Sequence, residues 1–143
     1  MSDDILEIQQ LAQIYADGVM QRDADIWGDT FAENGTWILS ADMDPVTGRD
    51  NLKAFWSAVM AGYPNVLHWV QPGIINVDGD TATARFYVQE NIKDAEGNTF
   101  RVAGVYNDEL IRENGAWRFS VRRFNSMYRG PVDMSGDWIG YPA

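Results

Sequence analysis

The chain holds a single histidine, His68, within NVLHWVQPG (residues 65–73). It is the one side chain whose ordinary titration falls near neutral pH. Flanked by Leu67 and Trp69 in an extended-looking run, it is either a core histidine with satisfied ring nitrogens or a catalytic base in a pocket. Glu90 is a second candidate. In the run 81–92, Ala82, Ala84, Phe86, Val88 and Ile92 share one face by strand alternation, and Glu90 shares it with them. A lone carboxylate there is costly unless it is partnered, neutral, or beyond the covered part of the sheet. Tyr15 lies on the apolar stripe of a helical segment, where most tyrosines are core residues with one hydrogen bond. Near the end, Trp117, Phe119 and Val121 fall on one strand face with Arg123 and Asn125; Ser120, Arg122, Phe124 and Ser126 fall on the other. Hydrophobicity favours the first set for the core.

Composition narrows the chemistry. A length of 143 residues suits one domain with one sizeable core. Aromatic residues reach 13%, six each of Trp, Tyr and Phe, enough to line a cavity for a flat apolar ligand as well as to fill a core. A net charge of -10 makes nucleic acid and anionic membrane surfaces poor partners. Without cysteine, thiolate chemistry and disulfides are excluded, and one histidine is too few for a His-rich zinc site. Asp42 and Asp44 in ADMDPVTG lack the rest of a calcium loop and read as solvated. The segment MSDDILEIQQ shows no secretion signal, and no stretch approaches the ~18 apolar residues of a membrane span, so a cytoplasmic location is the default expectation.

The elements that must position these residues follow from periodicity. Residues 3–22 predict an amphipathic helix through Ile8, Leu11, Ala12, Tyr15 and Val19, with Asp4 and Glu7 as a capping pair. A short helix fits DADIWGDTF; ENG then breaks the chain before a strand at TWILS. A third helix spans Asp50 to about Met60, burying Leu52, Phe55, Trp56 and Val59. The remainder is β: a run from Val66 to Val77 bent at Pro72-Gly73, then strands at 81–92, 99–112 and 117–128 joined by tight turns. Helices followed by a meander predict an α+β fold with segregated layers. Strands of that length must curve as they twist, and a curved sheet closed by helices is a cone with a pocket. The tail 129–143 is either a flap over the opening or a disordered end, and Trp138 and Tyr141 favour the flap.

This order, with RDADIWGDTFAENGTW early and GVYNDELIRENGAWRFSVRRF late, resembles the SnoaL-like branch of the nuclear-transport-factor-2-like superfamily over residues 5–128. The resemblance implies a cone-shaped α+β barrel, a curved, mostly antiparallel sheet covered by N-terminal helices. Its scaffold hosts enzymes, binding modules and oligomerisation domains alike. Among its enzymes are scytalone dehydratase, bile acid 7α-dehydratase and hexachlorocyclohexane dehydrochlorinase, whose catalytic histidine His68 matches. Tyr15 matches a catalytic tyrosine, Glu90 or Asn91 a polar residue of the third strand, and Arg122 or Arg123 an arginine of the last; the cavity alignment favours Arg122. Two positions depart. The aspartate that usually partners the histidine falls on Met20, and a second tyrosine falls on Leu39. Asp17 and Asp23 flank Met20 as substitutes, although Asp23 also fits a structural turn.

The leading expectation is a cofactor-independent, metal-free lyase of the dehydratase or elimination type, acting on a hydrophobic aromatic or polycyclic molecule. His68 is its base, assisted by Tyr15, Arg122 and Glu90. With Met20 in the aspartate position, His68 works unpartnered and favours a substrate activated by a carbonyl or phenol. Trp37, Leu39, Trp56, Trp69, Asn91, Tyr106, Asn107, Phe124 and Met20 are the expected substrate-binding set. The alternatives are a non-catalytic small-molecule-binding module, an isomerase or cyclase on the same scaffold, and an oligomerisation domain with a filled interior. The two-sided apolar pattern of the last strand predicts a homodimer through the sheet's outer face.

Overall fold

The computed structural model describes residues 2–142. It opens on helix α1 (Ser2–Gln21), whose stripe of Ile8, Leu11, Ala12, Tyr15 and Val19 is buried. Asp4 and Glu7 do not form the expected capping pair. Asp4 accepts from the Arg112 guanidinium and from Trp117 Nε1, and Glu7 accepts from the Trp117 backbone N–H at 2.7 Å. Both carboxylates therefore tie the first two turns of α1 to the sheet. Asp23 caps α2 (Ala24–Gly28), accepting from Asp25 N–H and Ile26 N–H, and exposed Asp17 takes Gln21 Nε2. Neither stands in for the missing partner of the histidine.

Strand β1 (Phe31–Ile38) runs straight through Glu33-Asn34-Gly35, where a break was expected. The segment is a bulge: Phe31 pairs with Phe119, and regular pairing resumes only at Thr36. Two-residue β2 (Val46–Thr47) and helix α3 (Arg49–Met60) follow. The Arg22 guanidinium donates to the carbonyls of Met60 and Tyr63, binding the end of α1 to the C-terminus of α3.

Strands β3 (Asn65–Val70) and β4 (Ile74–Asp78) both pair with β5 (Thr81–Lys93). The bend between them needs a glycine, because a Cβ at Gly73 would lie 2.5 Å from the Phe86 ring. Gln9 holds the bend with its amide, donating to Gly73 O and accepting from Gly73 N–H. Strands β6 (Thr99–Glu113) and β7 (Ala116–Pro131) complete the meander through Asn114-Gly115, both at positive φ as a tight hairpin turn requires. The sheet order is β2-β1-β7-β6-β5-β3, with β4 also on β5; it is curved and unclosed, antiparallel except for β1 on β7.

The last strand resolves the conflict between its two apolar faces. Leu110 pairs with Phe119 but Glu109 pairs with Val121, so Ser120 is an extra residue and the strand changes phase there. Trp117 and Phe119 face the core before the bulge; Arg122 and Phe124 face the same side after it. A second shift, between Ala103 and Gly104, leaves Met127 unpaired and turns Arg129 inward opposite Val102.

The inward turn of Arg122 buries a charge. Its guanidinium grips Asp108 with two hydrogen bonds, 2.9 and 3.0 Å, and the two side chains are 1% and 0% exposed. Burial pushes the Asp108 carboxyl up while Arg122 pulls it back. Asp108→Ala leaves that guanidinium buried without a counter-charge. It should cost about 3–5 kcal/mol, visible as a lowered urea midpoint.

Candidate active site

His68 sits on β3 directly opposite Glu90 on β5. Its backbone N–H points away from β5 and reaches Met20 Sδ at 3.3 Å. The two residues therefore form a non-hydrogen-bonded pair, the geometry in which facing side chains come closest. His68 Nδ1 lies 3.1 Å from Glu90 Oε2. The imidazole is buried and the carboxylate keeps a 30% exposed edge. A carboxylate only accepts, so the pair assigns the proton to Nδ1 and leaves a lone pair on Nε2. Nε2 is buried and has no partner among the described residues.

The expectation of an unpartnered histidine is thus corrected. Met20, where the resemblance expects an aspartate, meets only the His68 backbone N–H, and Glu90 from the neighbouring strand partners the ring.

The pair belongs to a cavity of about 510 Å³, and its walls come from every layer. Tyr15 of α1, Trp56 of α3, Trp37 and Leu39 at the end of β1, Tyr106 of β6 and Phe124 of β7 all line it. The lining is mainly apolar, and an interior filled with side chains, as an oligomerisation domain would have, is not found.

Beside His68, Tyr15 and Tyr106 share a hydrogen bond between their hydroxyls, 3.0 Å, and Trp37 Nε1 donates to the Tyr106 hydroxyl at 3.1 Å. Two hydroxyls carry two protons, and the mutual bond uses one. The other is taken by no described residue. Burial pushes both phenols above their ordinary range, so each is a donor rather than a base. The Tyr15 and His68 ring centroids are 5.7 Å apart, so the tyrosine and the imidazole are neighbours in the cavity wall.

Arg122 does not line this cavity. Its guanidinium lies behind the tyrosines, 3.8 Å from the Tyr106 ring centroid and 4.3 Å from that of Tyr15. Burial raises the pKa of both phenols, and the positive field of Arg122 draws them partly back down. Arg123 is exposed on the outer face.

Four of the expected binding residues also lie elsewhere. Asn107 is exposed on the outer face because it alternates with Tyr106. Trp69, alternating with His68, is half exposed there. Asn91 is buried, but on the other side of β5, accepting from Arg101 Nε at 2.8 Å and donating to Gln89. Met20 touches only the edge of β3 and lines a separate groove. That groove, about 610 Å³, lies between the tail and the ends of α1 and β3. Trp138 and Tyr141 of the tail line this groove and not the cavity around His68, to which Arg129 is the tail's one described contribution, so the two aromatic residues do not form the expected flap.

Sequence reasoning missed Tyr63, Phe100 and Arg129, which complete the cavity. Phe100 shares the alternation of Val102 and Tyr106 and was findable; Arg129 was hidden by the bulge at Met127.

A curved α+β sheet, closed by helices over an oriented histidine and a hydroxyl pair, defines a cone of the nuclear-transport-factor-2-like kind. The chain belongs to the SnoaL-like domain family, which matches residues 1–123. It is 31% identical to the uncharacterized protein Rv2910c of Mycobacterium tuberculosis, over 84% of this chain and 82% of that one. A Novosphingobium aromaticivorans protein provisionally designated an aromatic ring hydroxylase superimposes with a TM-score of 0.85 at 26% identity, covering 92% and 95% of the two chains. Hexachlorocyclohexane dehydrochlorinase of type 2 gives 0.82 at 19% identity, covering 96% and 92%, a likeness of fold.

A single histidine makes the tautomer directly observable, since its ring signals need no assignment. In the neutral ring, a long-range ¹H–¹⁵N spectrum should show a protonated Nδ1 and a bare Nε2. Glu90→Leu should abolish that preference; an unchanged pattern would mean that the carboxylate does not orient the ring.

Proposed function

We propose that this protein is a lyase that eliminates a leaving group from a hydrophobic aromatic or polycyclic small molecule, using protein groups alone. The observation that carries the reading is the buried His68–Glu90 pair, with a partnerless Nε2, beside a largely apolar cavity. Nε2 takes a proton from carbon. The C–H electron pair becomes the new double bond, and the leaving group departs from the adjacent carbon with its own bonding pair. A departing hydroxide leaves as water by taking a proton back from the imidazolium. The free hydroxyl proton of Tyr15 and Tyr106 stabilises negative charge on an oxygen of the substrate or on the leaving group. Glu90 stabilises the imidazolium, and Arg122 acts on the tyrosines from behind. Isomerisation or cyclisation would begin with the same proton removal.

The dehydrochlorinase among the structural neighbours supports an elimination by its own reaction, and the Novosphingobium designation supports an aromatic substrate. A binding module would use the same cavity but has no need of an oriented base. The reading takes residues 1–143 as one domain acting in the cytoplasm. No described helix is long and apolar enough to cross a membrane.

His68→Ala should lower kcat/KM at least ~100-fold while leaving ligand binding and the melting temperature near those of the parent. A variant that keeps most of its turnover ends this mechanism, and absence of any elimination across an aromatic substrate panel favours the binding module.

The proposal includes a homodimer through the outer sheet face. Trp69 and Tyr128 lie in one cross-strand row there, with Tyr87 in the next, each at least 42% exposed. Exposed aromatic side chains gathered on one sheet face suit a self-complementary interface. Sedimentation should give twice the monomer mass, and Trp69→Glu with Tyr128→Glu should return it to monomer. A monomer mass at every concentration refutes it.

A further inference from the structure

One cation belongs to the cavity and has no part in the chemistry above. Arg129 is the only lysine or arginine among the lining residues. It is exposed, and its guanidinium lies over the Phe100 ring, 4.8 Å from the centroid. It makes no hydrogen bond or ion pair with any described residue. Every other arginine on the inner side of the sheet is tied to a carboxylate or carbonyl; this one is held only by an aromatic platform, with its fork of donors unused.

Its position is set by the register. His68 faces Glu90, Glu90 faces Val102, and Val102 faces Arg129, so four strands place these residues in one row across the concave face. At about 4.8 Å per strand, Arg129 stands roughly 10 Å from Glu90 and 14 Å from His68 along the sheet. The cavity is thus polarised, with an acidic and basic pair on one side and a free guanidinium on the other.

A protein of net charge -10 repels anions, and Glu90 repels them again within the cavity. An anionic group can settle only at the end away from Glu90, where Arg129 waits. A carboxylate matches the planar fork best, since it accepts two parallel hydrogen bonds.

We infer that the substrate is an aromatic or polycyclic carboxylic acid whose carboxylate is received by Arg129 at the mouth. Held there, the ring system lies along the apolar walls and presents its far carbon to His68. Arg129 is a specificity-determining residue, choosing both the class of molecule and which end enters first. The inference rests on the cavity being the small-molecule site proposed above.

The test compares 2-naphthoate, cinnamate and benzoate with their neutral primary amides, by quenching of tryptophan fluorescence at pH 8 and low salt. At least one acid should bind about five- to tenfold more tightly than its amide. Arg129→Gln should abolish that preference and Arg129→Lys should keep part of it. Because Arg129 is exposed, its melting temperature should not move, and added salt should weaken the preference. Equal binding of acids and amides, a preference that survives Arg129→Gln, or no acid binding at all overturns the inference. The same titration on His68→Ala separates the two readings. Acid preference retained there, with no turnover by the parent protein, would retire the lyase and leave the acid site standing.

Discussion

A guanidinium removed from water must be satisfied wholly by its neighbours, and the architecture of this cone is arranged around one. Arg122 lies within 6 Å of the ring centroids of Tyr15, Phe86, Tyr106 and Phe119 and is neutralised by Asp108. Those contacts join α1 to β5, β6 and β7, so a charge almost wholly removed from water is also the point where the layers meet. A pair of this kind contributes little net stability compared with a well-packed apolar substitute. It does restrict how the layers can be assembled, because any other register strands a charge. The tyrosine rings pack on this guanidinium, and Trp37 holds the Tyr106 hydroxyl.

The bulge at Ser120 is what makes that arrangement reachable. Constant alternation would have forced a choice between Trp117 with Phe119 and Arg122 with Phe124, and the extra residue admits both pairs to the interior. This is why the faces of β7 could not be read from the sequence: the pattern of two residues per repeat assumes one phase throughout. The long helices and the strands β5 and β6 were legible because their patterns are uninterrupted. β1 was half concealed for the same reason as β7, its bulge carrying the composition of a turn. Alternation separated Glu90 from Asn91, where family resemblance left both open. No sequence signal identified Asp108 as the partner of Arg122, since an aspartate beside an asparagine and a glutamate reads as solvated until the fold buries it.

A partner on β5 sets the mechanics of the histidine. A partner on α1 would couple the histidine to the packing of a helix against the sheet. Glu90 instead couples it to an antiparallel ladder, where facing positions are fixed by backbone hydrogen bonds on both sides of the pair. Met20 is left with a structural task, covering a backbone N–H on the free edge of β3.

Helix α1 is anchored at both ends, by Asp4 and Glu7 to the β6–β7 hairpin and by Arg22 just beyond it to α3, with Gln9 gripping the bend of β3 and β4 between them. Twenty residues of α-helix span about 30 Å. Fastened in this way the helix is a ruler laid along the cone, and it measures the depth at which Tyr15 meets the histidine. Insertion or loss of one residue would rotate every later position by about 100° and take Tyr15 off the cavity wall. Depth in this scaffold is therefore stepped rather than continuous. Room for a larger or smaller ligand must be made at the rim, where the loop carrying Ser40 and Met43 lines the cavity without setting the spacing of Tyr15 and His68.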